Sequence, residues 1–141
     1  MITLEKLLLL REVPLFEQIP SAELARIAEI ADELVVAAGQ AVFAEGDFGD
    51  ALFVIADGRV RIVKGSRVIA TLEKASYFGE MSLLDGEPRS AGAVAETDSL
   101  LLCISQKDFH TILARHFDAA LAVIRTLSRR VRAQLQQQET K

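Results

Sequence analysis

The apolar residues of this chain change their period twice, and this constrains the fold more than any single motif does. Up to about residue 33 they recur at helical spacing. From Leu34 to Ile104 they fall into short runs with turn residues between them, and after Ser105 helical spacing returns. All eight glycines lie between residues 39 and 92. Helix interiors tolerate glycine poorly, whereas tight turns use it. The pattern therefore predicts a turn-rich β middle between two helical flanks.

In the first flank, Thr3–Arg11 reads as a short helix capped by Thr3 and stopped before Pro14. Ser21 then caps a second helix with Leu24, Ile27, Ala28 and Ala31 on one face. The strand candidates are 34–38, 41–44, 51–56, 59–64, 67–72, 91–95 and 99–104. Asp57-Gly58, between two apolar runs, predicts a tight hairpin. Short strands at this spacing make a sandwich or small barrel. In the last flank, Ser105 caps a helix carrying Phe109, Ile112 and Leu113. A longer helix over 117–137 follows, with Leu121, Ile124, Leu127, Val131 and Leu135 in a stripe and Arg125, Arg129, Arg130 and Arg132 on other faces. The polar end, Gln136–Lys141, is expected to fray.

A chain of 141 residues has room for one ordinary domain, here 1–141: a helical lead (1–33), a β-roll (34–104) and C-terminal helices (105–138). The net charge of −4 argues against coating a polyanion such as nucleic acid. The charge is uneven: residues 117–141 hold 5 basic and 2 acidic side chains, so this flank is basic. A lone cysteine, Cys103, excludes an internal disulfide and fits a reducing, cytoplasmic setting. The apolar run Leu7–Leu10 is too short to span a bilayer, and no cationic leader precedes it.

One segment exceeds what a β-meander needs: Tyr77-Phe78-Gly79-Glu80-Met81-Ser82-Leu83-Leu84-Asp85-Gly86-Glu87-Pro88-Arg89-Ser90-Ala91. It sits between two strands and reads as a short helix opening at a glycine, a turn, and then an arginine. Glycine permits close approach of a ligand, and the first amides of a helix face an anion. Arginine offers a fixed, bidentate contact to phosphate. Ser90 adds a hydroxyl, and Glu80 is left as an acceptor for a sugar hydroxyl. The residues outline a site for one small phosphate.

The segment resembles the phosphate-binding cassette of the cyclic nucleotide-binding domain family. Glu45-Gly46-Asp47-Phe48-Gly49-Asp50-Ala51-Leu52-Phe53-Val54-Ile55-Ala56-Asp57-Gly58-Arg59-Val60 is similar to that family's first hairpins, and Val13-Pro14-Leu15-Phe16 to its N-terminal helices. The resemblance covers about residues 10–135. It implies a mainly β fold, an eight-stranded antiparallel β-roll like a jelly roll with helices at both ends. It also implies reversible binding of a cyclic mononucleotide without catalysis or a prosthetic group. On this likeness Arg89 would pair with the phosphate oxygens and Glu80 with the ribose 2′-hydroxyl. Backbone amides near Gly79 and at Ala91 would assist, and Ser90 would touch phosphate or base; Met81 and Ser82 complete the cassette. Ile69 and Leu72 would pack on the nucleotide, and Arg130, Gln134 and Leu135 of the last helix would close over the base. The bland alternatives are a surface ion pair for Glu80 and Arg89 and a solvated helix face for Arg130 and Gln134.

The family's usual glycine and acidic residue before the aromatic pair are replaced here by Ala75-Ser76. Threonine at the place of Ser90 accompanies cGMP preference in the family, so serine points to cAMP. The last helix would serve as a lid and as a surface for a homodimer or an external effector. The chain ends at Lys141, before any helix-turn-helix, so DNA binding by this chain alone is not expected. His110 and His116 are six residues apart and share no helix face. They predict no metal centre and weigh against a metal-binding cupin barrel. The rival expectation is a degenerate, ligand-free β-roll acting as an interaction module of a larger transporter, channel or regulator.

Overall fold

The computed structural model describes residues 1–139, except for the side chains of Ser82, Leu83 and Glu139. Helices α1 (Thr3–Arg11) and α2 (Ser21–Ile30) flank a 3-10 turn at Pro14–Phe16. Eight strands follow: β1 (Asp32–Val36), β2 (Ala41–Phe43), β3 (Ala51–Asp57), β4 (Val60–Lys64), β5 (Arg67–Leu72), β6 (Tyr77–Phe78), β7 (Gly92–Ala95) and β8 (Ser99–Ser105). A one-and-a-half-turn helix, α3 (Glu80–Asp85), interrupts them, and α4 (Gln106–Arg115) and α5 (Phe117–Glu139) close the chain. The strands form two antiparallel sheets, ordered β1-β8-β3-β6 and β2-β7-β4-β5. This is the expected β-roll.

Strand β3 shows why the chain folds this way. Ala51 to Ala56 are all buried, because both faces of the strand are covered. Leu52, Val54 and Ala56 point into a cluster with the helices, among them Phe16, Leu24, Ile27, Phe109, Ala119 and Val123. Ala51, Phe53 and Ile55 point between the sheets, against Val60, Phe78, Ala93, Ala95 and Leu101. The period of two thus divides one apolar run between two cores. Ser105 caps α4, its hydroxyl accepting a bond from the Asp108 amide at 3.2 Å.

Several local expectations are corrected. Ile2 and Pro20, not Thr3 and Ser21, hold the N-cap positions of α1 and α2. The first strand begins two residues earlier than expected, and the two-residue β6 was not foreseen. Helix α5 continues through Gln136–Glu139 where fraying was expected; Thr140 and Lys141 lie outside the described residues.

Asp57-Gly58 does not close a hairpin, because β3 and β4 belong to different sheets. Gly58 has φ +101°, and a Cβ on it would lie 2.8 Å from the Asp98 carbonyl. The turn is a corner packed against a second corner, β7 to β8. There the Arg59 amide donates to Thr97 Oγ1 at 3.0 Å and the Glu96 amide to the Arg59 carbonyl at 2.8 Å. The true hairpin joins β4 and β5 at Gly65. Both corner strands find better partners elsewhere, so long-range pairing overrides the local turn signal.

At Ala75, where the resemblance led one to expect glycine, the backbone is left-handed with φ +70°. The Ala75 amide donates to the Ile55 carbonyl at 2.9 Å, which holds the turn that launches β6. A Cβ in this conformation costs roughly 1–2 kcal/mol, part of which glycine's greater unfolded-state freedom returns. Ala75→Gly should therefore raise unfolding stability by up to about 1 kcal/mol. Denaturant titration checks this, and a destabilised variant would show that the alanine side chain stabilises the fold by more than its backbone strain costs.

Candidate functional site

The segment after β5 is built around a buried arginine. Strand β6 pairs with β3, Phe78 opposite Phe53 and Tyr77 opposite Val54. Gly79, at φ +86°, then turns the chain out of the sheet into α3. The chain returns through Gly86, also left-handed at φ +70°, and the Asp85 carboxylate accepts the Glu87 amide at 2.9 Å. Arg89 is then pinned by its own backbone: its amide donates to the Asp47 carbonyl at 2.7 Å, and its carbonyl accepts the Gly46 amide at 2.8 Å.

The Arg89 side chain is only 5% exposed. Its Nη1 donates to the Gly79 carbonyl at 3.0 Å and its Nη2 to the Ala51 carbonyl at 2.9 Å. Its Nε is buried without a partner. The guanidinium carbon stands 4.2 Å from the centre of the Phe43 ring. Among the described residues, no carboxylate lies within ion-pair distance of it. Burial lowers its pKa, and the charges of Asp50, Cys103, Glu80 and Asp47 act in the opposite direction. Two glycines make room for it. A Cβ on Gly49 would overlap the guanidinium, and one on Gly79 would lie 2.7 Å from Nη1.

Arg89 and Gly79 line a cavity of about 260 Å³ together with Phe43, Ile62, Ile69, Leu72, Tyr77, Phe78, Glu80, Met81, Ser90, Ala91 and Arg130. Most of the residues expected at the site from the sequence therefore meet on one cavity. Ser82 lies in α3, but its side chain falls outside the described residues. Gln134 is exposed on α5 and does not line the cavity. Leu135 is exposed as well. Glu80 and Arg89 do not pair with each other: Glu80, 13% exposed, accepts Arg130 Nη2 at 3.0 Å. Arg130 also stands over the Tyr77 ring at 5.6 Å. The last helix thus already reaches the cavity. Burial raises the pKa of the Tyr77 hydroxyl, partly offset by the Arg130 charge.

Sequence reasoning did not single out Phe43, Ile62, Tyr77 or Gly49. Phe43 and Ile62 read as ordinary strand residues, and only the pairing of β2 and β4 with β7 brings them beside the cassette. The exit of the cassette is tied down by Lys64, whose Nζ donates to the Ser90 carbonyl at 2.9 Å and lies 3.5 Å from Glu45. Cys103 is half-buried in β8, where burial raises its thiol pKa and disfavours the thiolate. The described residues hold no cluster of metal-ligating side chains, and none of their helices is long and apolar enough to cross a membrane.

A buried cation held by neutral carbonyls, beneath a cavity with apolar walls, is built to receive one small anion on an organic body. The comparisons agree. The profile of the cyclic nucleotide-binding domain matches residues 33–116, and the chain belongs to that family. Domains of this family are regulatory ligand-binding modules rather than catalysts. The chain is 34% identical over 111 residues to the cAMP-dependent protein kinase regulatory subunit of Yarrowia lipolytica, covering 77% of this chain and 30% of that protein. It is 34% identical over 124 residues to the cyclic AMP receptor protein of Thermus thermophilus, covering 84% of this chain and 57% of that protein. Among solved structures, the N-terminal domain of a transcriptional regulator from Streptomyces coelicolor superposes with a TM-score of 0.79. That pair is 31% identical, with 91% of this chain and 92% of that one covered. The chain thus spans only part of the length of these two curated relatives.

The packing of Gly49 on Arg89 is directly testable. Gly49→Ala should destabilise the fold by roughly 1–3 kcal/mol, as overpacking does, because the guanidinium must move. In an Arg89→Ala background the same change should cost far less. Equal costs in the two backgrounds, read by denaturant unfolding, would show that residue 49 does not pack on the guanidinium.

Proposed function

We propose that this chain binds cAMP reversibly and passes the binding event on through α5, as the sensor of a regulatory system. The observation that carries this reading is Arg89: a guanidinium 5% exposed, without a carboxylate partner among the described residues, on the wall of the cavity. Phosphate would supply the missing negative charge, and the buried, charge-assisted contact would be strong. Glu80 would accept the ribose 2′-hydroxyl, and Ile62, Ile69 and Leu72 would cover apolar parts of the nucleotide. Ser90 rather than threonine at the cassette exit supports cAMP over cGMP. The cAMP-dependent protein kinase regulatory subunit and the cyclic AMP receptor protein that the chain resembles support the same ligand.

Arg130 provides the link to α5. It bonds to Glu80 and rests on Tyr77, so a ligand hydroxyl arriving at Glu80 must share that carboxylate with Arg130 or displace it. Either event shifts the position α5 prefers, and the ligand selects the arrangement that binds it better. Closure would bring Gln134, one turn further along α5, toward the base.

Calorimetry tests the ligand. The native chain should release heat with cAMP and bind cGMP less tightly. Arg89→Ala should lose roughly 1.5–3 kcal/mol of cAMP binding, about ten- to a hundredfold in affinity. No heat with either nucleotide would refute the reading and favour a ligand-free interaction module.

We also propose α5 as a self-association surface. Ala119, Ala122 and Val123 face the core, whereas Phe117, Ile124, Val131 and Leu135 are exposed. Phe117, Ile124 and Val131 recur every seven residues, and Leu135 falls on the same stripe, so a second copy of the helix fits it. Sedimentation of the native chain should show a dimer that Ile124→Glu converts to a monomer. A native monomer at all soluble concentrations would leave this stripe to an external effector.

A further inference from the structure

We propose that Phe43 is a positioning residue for the ligand phosphate and acts through Arg89. This rests on the phosphate-binding reading of the site and extends it to a residue outside the cassette. A buried arginine is usually held by a carboxylate, which fixes its position but also neutralises it. Arg89 is fixed differently. Two carbonyls, from Gly79 and Ala51, take one N–H each from its two terminal nitrogens. The Phe43 ring lies against the guanidinium, its centre 4.2 Å from the guanidinium carbon, and Gly49 packs directly on the same group. The negative face of an aromatic ring stabilises a cation without occupying its charge. The combination holds Arg89 in one place without an ion pair to neutralise it among the described residues, and with its Nε unpartnered.

Phe43 is itself held. Its ring centre is 5.9 Å from that of Phe53 and 5.8 Å from that of Phe78, and those two rings stack at 5.3 Å. Phe53 and Phe78 are buried and paired across β3 and β6. The three rings form a rigid base, and Phe43 is the member nearest the guanidinium (Phe53 is 5.9 Å away). In this arrangement the arginine needs little reorganisation when an anion arrives, the condition under which binding is tightest.

The test uses the whole chain with cAMP as the probe, in native form, as Phe43→Leu, and with pentafluorophenylalanine at position 43. The fluorinated ring keeps the shape but reverses the sign of the face. Both altered chains should bind cAMP roughly three- to thirtyfold more weakly, the range set by losing a cation–π contact. The fluorinated chain keeps the shape of the ring, so it should fold cooperatively with an unfolding midpoint lowered only by the lost contact to Arg89, and it decides the question if Phe43→Leu does not fold. In the nitrogen-resolved NMR spectrum the Arg89 Nε–H proton should show a ring-current shift that Phe43→Leu abolishes. Native-like cAMP affinity in both altered chains would overturn the role of Phe43 and leave the ligand reading intact. Weakening in Phe43→Leu alone would overturn the electrostatic role, since shape would then suffice. A native chain that binds neither cAMP nor cGMP would overturn the ligand reading and this role together, whatever the ring-current shift shows.

Discussion

A buried guanidinium that pairs with no carboxylate among the described residues organises this end of the roll. Taking a cation out of water costs several kcal/mol unless neighbours compensate. Here the compensation comes from two sequence-distant carbonyls, an aromatic face and the space left by two glycines. Each contribution comes from a different place in the fold: Ala51 opens β3, Gly79 follows β6, Phe43 ends β2, and Gly49 lies in the loop before β3. The Arg89 backbone joins them by exchanging hydrogen bonds with Gly46 and Asp47. Removing the arginine would therefore leave unpaired carbonyls and a void where four elements converge, as well as an empty ligand contact.

The same constraint explains how the site and the helices can influence each other. Strand β3 is shared. Its Leu52 and Val54 pack in the cluster that contains Ala119 and Val123 of α5, while Phe53 and the Ala51 carbonyl face Arg89. A second route is direct, through Arg130, Glu80 and Tyr77. Helix α5 is therefore tied to β3 by apolar packing near its start and to the cassette by a charged contact thirteen residues into the helix. The charged contact is the more easily remodelled, since Arg130 is 47% exposed and solvent can replace what it loses.

Local chemistry was legible where residues act on their neighbours, and less so where distant strands decide. The change of apolar period placed the helical flanks and seven of the eight strands, because burial on one face leaves a period that can be read directly. The cassette was legible because its glycine, arginine and serine lie within one short stretch of sequence, 79–90. Asp57-Gly58 misled, since the same dipeptide can turn a hairpin or a corner, and only the pairing of β3 with β8 distinguishes the two. Ala75 shows the converse: the turn kept the backbone shape expected of glycine although the residue is alanine, so tertiary hydrogen bonds overrode residue preference. On α5, Arg130 lines the cavity, but Gln134, four residues on, falls outside it, because spacing gives a face and not the depth at which the helix meets the roll. Phe43 was illegible for a deeper reason. Its role depends on a strand pairing fifty residues away, and nothing in Ala41-Val42-Phe43 marks the ring as facing a cation.

The overall charge of −4 seems ill suited to an anionic ligand, and the arrangement of charges resolves this. Glu80 lies close enough for its charge to act on Arg89, and an unpaired carboxylate there would compete with phosphate for the guanidinium. The structure instead engages Glu80 with Arg130, from the basic flank of an otherwise acidic chain. The carboxylate remains available as a hydrogen-bond acceptor, since it has two oxygens and Arg130 takes one. Its repulsion of an incoming anion is reduced by the cation beside it. The basic last helix therefore acts on the site by engaging one of the carboxylates that act on Arg89, while Asp50 and Asp47 favour the charged guanidinium without pairing with it.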